Sequence, residues 1–265
     1  MLKPDLKMRI YQQSLHWENP QANSGMWDEL LSAAYGQVDM VLLPEMFLTG
    51  FTMNPEAAAA GTEVYDWLGQ HAERGGYAVY GSVRFRESEN PDRSSAQYYN
   101  RGVFMRPDRT FDLYDKRHTF SLAGEHEVYD KGTERVTANY KGWKFFLQIC
   151  YDLRFPVFSR NDVDYDVLLY VANWPTPRVY AWDTLLPARA IENMSYTVGV
   201  NRVGKDGNGM DYPGHSQVYD ALGHALTLNP WIEAGHRDYL LKYQPMLEAR
   251  QKLKFLNDRD SFILN

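Results

Sequence analysis

Short apolar runs alternate with longer segments of helical period along most of the chain, and their order predicts the architecture. Met8 to Leu15 reads as a first strand. Asn19-Pro20 opens a helical pattern that runs to Tyr35, with Asn19 placed to cap it and Pro20 at its first position. Val38 to Leu43 has the continuous apolar character of a buried parallel strand and ends at Pro44-Glu45-Met46-Phe47. Gly61 to Arg74 reads as a second helix, closed by Gly75-Gly76, and Tyr77 to Phe85 as the next strand. After a polar loop, Glu87 to Ser95, the arms Ala96 to Met105 and Thr110 to Tyr114 flank the turn Arg106-Pro107-Asp108-Arg109. Ser121 to Gly132 reads as an ordered loop. Arg135 to Tyr140 and Trp143 to Ile149 then pair around Lys141-Gly142. The chain turns at Cys150 toward a helix whose first turn would hold Pro156.

The remaining pattern is a strand at Asp166 to Val171, a helix at Arg178 to Asn193 with a kink expected at Pro187, and a strand at Tyr196 to Val203. Gly204 to Tyr212, with three glycines, reads as a loop. His215 to Tyr219 and His224 to Leu228 are expected to pair across Ala221-Leu222-Gly223. Arg237 to Tyr243 follows as a strand and Pro245 to Phe255 as a terminal helix. Helices alternate with strands at both ends of the chain, with hairpins between. This predicts a single α/β domain over 1–265 with a mixed sheet arrangement covered by helices.

Composition narrows the function classes. A net charge of -6 gives no basis for binding nucleic acid or an anionic membrane. No run approaches the roughly 20 apolar residues of a membrane span, and Met1 to Ile10 lacks the apolar core of a signal peptide. A single cysteine, Cys150, excludes an intrachain disulfide and fits a reducing compartment. The expectation is a cytoplasmic protein. The seven histidines show no metal-ligand spacing, so no metal is expected.

Three strand ends carry reactive side chains: Glu45, Lys116 and Cys150. Each has an ordinary explanation, as a solvated loop acid, an edge lysine and a small core residue. Together they supply a specific chemistry. A thiol of pKa about 8.5 is mostly protonated at neutral pH. A nearby ammonium would favour the thiolate, and a carboxylate would take the proton during attack. The lysine and the N–H of Tyr151 would hold the oxyanion of a tetrahedral intermediate. The carboxylate would return the proton to a departing amine and then activate water.

Leu43-Pro44-Glu45, Tyr114-Asp115-Lys116-Arg117-His118 and Ile149-Cys150-Tyr151-Asp152-Leu153-Arg154-Phe155-Pro156 resemble the three signature blocks of the nitrilase superfamily of carbon–nitrogen hydrolases. Order and spacing agree, with Lys116 71 residues after Glu45 and Cys150 34 residues further on. Ala172-Asn173-Trp174-Pro175 and Ala188-Arg189-Ala190-Ile191-Glu192-Asn193 extend the resemblance over essentially the whole chain. It implies an α-β-β-α sandwich with neither metal nor cofactor. It also implies that Glu45 is the general base, Lys116 the oxyanion partner and Cys150 the nucleophile. Many members carry a second glutamate after the lysine. Of Glu125 and Glu127, the resemblance favours Glu125, because seven residues then separate it from Gly132. Its implied role is to hold Lys116 and orient substrate. Glu127 is left as an exposed loop acid. Trp174 is a pocket wall or ordinary core. Arg154 and Arg189 are read as structural, with Arg154 alternatively beside the substrate. His118 and His126 are loop or supporting residues.

Cys-Tyr-Asp-Leu-Arg-Phe-Pro after the strand is similar to the small-amide branch that includes ω-amidases, and lacks the Cys-Trp-Glu of nitrile-cleaving members. The resemblance therefore implies hydrolysis of the ω-amide of small 2-oxo acids, 2-oxoglutaramate and 2-oxosuccinamate, to the dicarboxylate and ammonia through a cysteinyl thioester. It also implies a homodimer or larger homo-oligomer. Two alternatives stay open. One is another small-amide or N-carbamoyl amino acid hydrolase of the same superfamily. The other is a non-catalytic binding or scaffold protein, which a thiol no more reactive than free cysteine toward iodoacetamide would favour.

Overall fold

The computed structural model describes residues 3–56, 60–87, 97–228 and 230–264. Its first part runs β1 (Leu6–Gln12), α1 (Pro20–Ser32), β2 (Met40–Leu42), α2 (Glu63–Gly75), β3 (Ala78–Arg86), β4 (Tyr98–Met105) and β5 (Phe111–Asp115). A four-residue helix, α3 (Glu125–Val128), leads to β6 (Thr137–Tyr140), β7 (Trp143–Ile149), β8 (Val167–Ala172), α4 (Val179–Asn193) and β9 (Tyr196–Asn201). The chain closes with β10 (Val203–Lys205), β11 (Asp211–Pro213), β12 (Gln217–Tyr219), β13 (Gly235–Leu241) and α5 (Tyr243–Leu253).

Period-2 alternation divides each strand between two layers. Met8 and Ile10 of β1, Met40 and Leu42 of β2, and Tyr80 of β3 enter one buried cluster with the strands of the second sheet. Their neighbours Tyr11, Val41 and Val79 enter another, with Trp27 and Leu31 of α1 and Leu68 and Ala72 of α2. The first sheet has the order β13-β1-β2-β3-β4-β5 and the second β12-β9-β8-β7-β6. They meet face to face, with Phe104 and Phe145 rings 5.3 Å apart and the Tyr80 hydroxyl donating to the Gln148 carbonyl at 3.1 Å. Helices α1 and α2 cover the outer face of the first sheet. Trp182 and Leu186 of α4 press on Gly199 of β9, and Tyr243 of α5 meets Trp143 of β7. The result is the expected α-β-β-α sandwich. Strands β1, β2 and β3 run parallel, as do β7, β8 and β9, so the C-terminal ends of each set share one edge of their sheet.

Local expectations hold where the capping chemistry is explicit. Asn19 Oδ1 accepts the Ala22 N–H at 3.0 Å, with Pro20 as the first helical residue. Gly76, at φ +65°, ends α2 in the left-handed conformation. Ser121 to Gly132, expected as an ordered loop, holds a 3₁₀ turn at Ser121–Ala123 and the helix α3. Three expectations are corrected. No α-helix opens at Pro156, because the chain coils immediately after β7 as a 3₁₀ turn, Cys150–Arg154. Gly204 to Tyr212 is a short hairpin, in which β10 and β11 pair from Val203↔Pro213 to Lys205↔Asp211. His224 to Leu228 does not form a strand, and only Ala225 bridges to Tyr219. The loop expected at Glu87 to Ser95 lies, except for Glu87, outside the described residues, as does Ala96.

Candidate active site

Glu45 follows β2 after two intervening residues, Leu43 and Pro44, and Lys116 follows β5 directly. Cys150 follows β7 directly, and Asn173 follows β8. Hydrogen bonds tie these ends together across the two sheets. Glu45 Oε1 accepts from Lys116 Nζ at 2.9 Å and from Asn100 Nδ2 at 2.8 Å. Glu45 Oε2 accepts the Asn173 N–H at 2.8 Å, and the Glu45 carbonyl accepts from Asn173 Nδ2 at 2.7 Å. Lys116 Nζ reaches both oxygens of Glu125, at 2.9 and 2.8 Å. Asn100 Nδ2 also contacts Glu125 Oε1 at 3.1 Å. The Asn100 amide is oriented from behind, since its Oδ1 accepts the Ser82 hydroxyl at 2.8 Å. Glu45 and Glu125 are fully buried and Lys116 nearly so.

Two of these turns depart from ordinary backbone. Met46, next to Glu45, and Cys150 both have φ +46°, a left-handed conformation that costs about 1–3 kcal/mol in a non-glycine residue. Each is held from its flanks. The Met46 N–H donates to Ser82 Oγ at 3.0 Å. Asp152, fully buried, reaches back to the Ile149 N–H at 2.9 Å, which curls the chain around Cys150. The same carboxylate accepts the Tyr114 hydroxyl at 2.7 Å and the His118 N–H at 3.0 Å, and lies 2.7 Å from His118 Nδ1. Asp152 thus fastens the turn at Cys150 to the segment that carries Lys116. Gly132 completes that segment. Its N–H donates to the Lys116 carbonyl at 3.0 Å, and a Cβ there would lie 1.9 Å from the Asp115 carbonyl oxygen.

The electrostatics correct one expectation. Burial pushes the Cys150 thiol well above the usual thiol range, Glu45 raises it further, and Lys116 opposes them only in part. Lys116 favours the thiolate, as expected, but does not by itself offset burial, so slow alkylation at neutral pH no longer marks a non-catalytic protein. Burial also pulls Lys116 down, but Glu125 and Glu45 outweigh it and hold the ammonium above the ordinary lysine range. Burial raises the Glu125 carboxyl, with Lys116 opposing. A protonated thiol beside a carboxylate, with an ammonium fixed between two acids, can undergo proton transfer as the sulfur attacks a carbonyl.

Cys150 opens on a cavity of about 180 Å³, and Tyr151, Trp174 and Phe120 form part of its wall. Trp174 is also packed on Trp182, with ring centroids 5.4 Å apart, so it is core and wall at once. Arg154 lines the same cavity, its guanidinium 5.1 Å from the Trp174 ring centre. Arg189 is structural, donating Nε and Nη2 to the Leu153 carbonyl at 3.1 and 2.7 Å. His118 stacks on Phe155 at 3.7 Å, whereas His126 and Glu127 are exposed. Among the described residues no cluster of His, Cys, Asp or Glu has the arrangement of a metal site. Asn100 and Ser82 were not among the expected site residues. Asn100 had one signal, a polar residue at a buried position of a strand whose last three residues, Val103 to Met105, are apolar. Asn173 and Asp152 lie inside the blocks Ala172–Pro175 and Ile149–Pro156, whose sequence gives neither a role.

The carbon–nitrogen hydrolase family profile matches residues 7–242. A protein of Yersinia enterocolitica called omega-amidase YafV is 45% identical over 260 residues, covering 98% of each chain. A 2-oxoglutaramate amidase of Bacillus subtilis is 30% identical over 230 residues, 83% of this chain and 84% of that one. The crystal structure of XC1258 from Xanthomonas campestris, a CN-hydrolase superfamily protein with an arsenic adduct in its active site, superposes with a TM-score of 0.93. It is 39% identical and covers 99% of this chain and 100% of its own.

Proposed function

The chain belongs to the carbon–nitrogen hydrolase family, and from that membership we propose a thiol amidohydrolase that cleaves the ω-amide of small 2-oxo acids. The substrates are 2-oxoglutaramate and 2-oxosuccinamate, and the products are the dicarboxylate and ammonia. The observation that carries the chemistry is the buried cluster of Glu45, Lys116 and Glu125 beside Cys150 at the floor of a pocket. The substrate class is supported by relatives named omega-amidase and 2-oxoglutaramate amidase.

In this reading Glu45 takes the thiol proton as Cys150 Sγ adds to the amide carbon. Lys116 Nζ and the Tyr151 N–H hold the resulting oxyanion. Glu45 then gives the proton to the nitrogen, the C–N bond breaks, ammonia leaves and a thioester remains on Cys150. Glu45 next takes a proton from water, whose oxygen adds to the thioester carbonyl. Collapse returns the proton to sulfur and releases the acid. Glu125 keeps Lys116 charged and in place. One water is consumed per amide, and the enzyme is unchanged. The domain spans 1–265. We extend the proposal to a cytoplasmic homodimer. Exposed Tyr180 and Ile191 on α4 and nearby Leu222 offer an apolar contact face, and sedimentation velocity tests the dimer.

The test of substrate class is ammonia release from 2-oxoglutaramate and 2-oxosuccinamate beside glutamine, asparagine and an N-carbamoyl amino acid. The proposal requires the 2-oxo amides to be turned over with by far the highest kcat/KM. Preference for the N-carbamoyl compound, with CO₂ as a product, would replace the substrate while leaving the triad.

A further inference from the structure

The proposed substrate carries a carboxylate at the end remote from its amide, and Lys116 is already engaged by Glu45 and Glu125. The cavity wall offers two other cations, Arg154 and Arg178. Neither guanidinium has an ion-pair partner among the described residues, and each lies instead against an aromatic ring. The acid on the same wall, Asp206, is already satisfied. Its Oδ1 accepts the N–H groups of Asn208 and Met210 at 2.9 Å each, and its Oδ2 accepts the Tyr212 hydroxyl at 2.9 Å. The wall therefore presents unpaired positive charge to whatever enters.

The two arginines differ in how they are held. Arg154 is exposed, where water screens its charge. Arg178 is half-buried. Its backbone is fixed on both sides, with its N–H donating to the Pro175 carbonyl at 3.0 Å and its carbonyl accepting the Trp174 indole N–H at 2.7 Å. Its guanidinium lies 5.0 Å from the centre of the Phe120 ring. Phe120 is also the residue whose N–H donates to Glu125 Oε2, the carboxylate that grips Lys116. A guanidinium stacked on a ring keeps its edge N–H groups free, in the fork geometry that suits a carboxylate.

Resting on the proposed 2-oxo-amide reading, we propose that Arg178 is the specificity-determining residue that receives the substrate's terminal carboxylate. The Phe120 platform then ties carboxylate binding to the Glu125–Lys116 pair. The amide end is left to reach Cys150, and amides that lack a remote anion bind weakly.

The experiment is calorimetric titration of 2-oxoglutarate into Cys150→Ala, Cys150→Ala/Arg178→Ala and Cys150→Ala/Arg178→Lys. It is paired with kinetics of the corresponding Cys150-containing forms on 2-oxoglutaramate and on 4-oxopentanamide, which has a methyl group in place of the carboxylate. Arg178→Ala should raise the Kd for 2-oxoglutarate about 10- to 100-fold, the range of a hydrogen bond to a charged group. The ratio of kcat/KM for 2-oxoglutaramate to that for 4-oxopentanamide should fall by a similar factor, mainly through KM. Lysine should restore part of the loss, since it keeps the charge without the fork. It also keeps an aliphatic stem over Phe120, which guards against a folding defect. A Kd and ratio within twofold of the parent would overturn the assignment. So would a loss that appears in Arg154→Ala instead. Arg178-dependent binding of 2-oxoglutarate without turnover of 2-oxoglutaramate would refute the proposed reaction and leave the carboxylate site standing.

Discussion

Glu125→Gln changes one oxygen for an NH₂ group and nothing in volume, yet it should be among the most damaging single substitutions in the protein. Every polar contact to this side chain comes from a donor. Oε1 receives Lys116 Nζ and Asn100 Nδ2, and Oε2 receives Lys116 Nζ and the Phe120 N–H. A glutamine amide has two donors of its own. Whichever way it is turned, its NH₂ faces Lys116 and one further N–H inside a site closed to water. The substitution also leaves Lys116 with one buried carboxylate in place of two. Removing one partner from a buried ion pair costs about 3–5 kcal/mol. At about 2–4 °C per kcal/mol for a protein near this size, Tm should fall by roughly 6–20 °C. Turnover should fall toward the 10²–10³-fold loss that follows removal of an oxyanion donor, because Lys116 is no longer held in place. Differential scanning calorimetry and ammonia release measure the two effects. Glu127→Gln is the control, since its side chain is 75% exposed and its change should stay within about 0.5 kcal/mol. A Glu125→Gln protein with parental Tm and turnover would show that the donors around Glu125 do not depend on its charge, and would refute this reasoning.

Further outcomes follow from the same geometry. Lys116→Ala should cost at least about 10²–10³-fold in kcat, and steady-state kinetics on 2-oxoglutaramate measures it. Asp152→Asn places an NH₂ among the Tyr114 hydroxyl, the Ile149 N–H and the His118 N–H. It should destabilise the protein by about 1–3 kcal/mol or more and displace Cys150, lowering kcat more than it raises KM. The rate of Cys150 alkylation by iodoacetamide, followed against pH, should inflect above the roughly 8.5 of a free thiol. A midpoint below that value would contradict the buried thiol. With its pKa raised on folding, Cys150 contributes stability that is complete below the unfolded thiol pKa and lost as pH rises through the folded value. Chemical denaturation of Cys150→Ala should accordingly show a flatter decline above about pH 8.5 than the parent.

The positions of Glu45 and Cys150 at strand ends were legible because apolar runs that stop at a charged or thiol residue mark their own boundaries, and Lys116 was legible as the end of the arm that follows the Arg106–Arg109 turn. The distinction between Glu125 and Glu127 was legible only through motif spacing. Two residues apart in α3, one side chain turns into the buried cluster and the other to solvent, and composition offers no reason for either direction. Asn100 and Ser82 were not legible. Their roles come from cross-strand pairing of β3 and β4, which sets Arg84 opposite Asn100 and brings Ser82 Oγ to Asn100 Oδ1. A local pattern does not encode such register. The turn at Cys150 was misread for a related reason. Pro156 suggested a helix start, but the side chain of Asp152 competes for the Ile149 N–H and closes a 3₁₀ turn several residues earlier. The β10–β11 hairpin was hidden by its glycines, which read as loop although Gly204, at φ +84°, sits inside a strand pair.

Whether Cys150 forms the bond to the amide carbon is read from ammonia release on 2-oxoglutaramate by the parent and by Cys150→Ala at equal concentration, with circular dichroism confirming the fold of both. The parent should release one ammonia per 2-oxoglutarate and the variant none above background. Ammonia release that persists in folded Cys150→Ala would rule out Cys150 as the nucleophile.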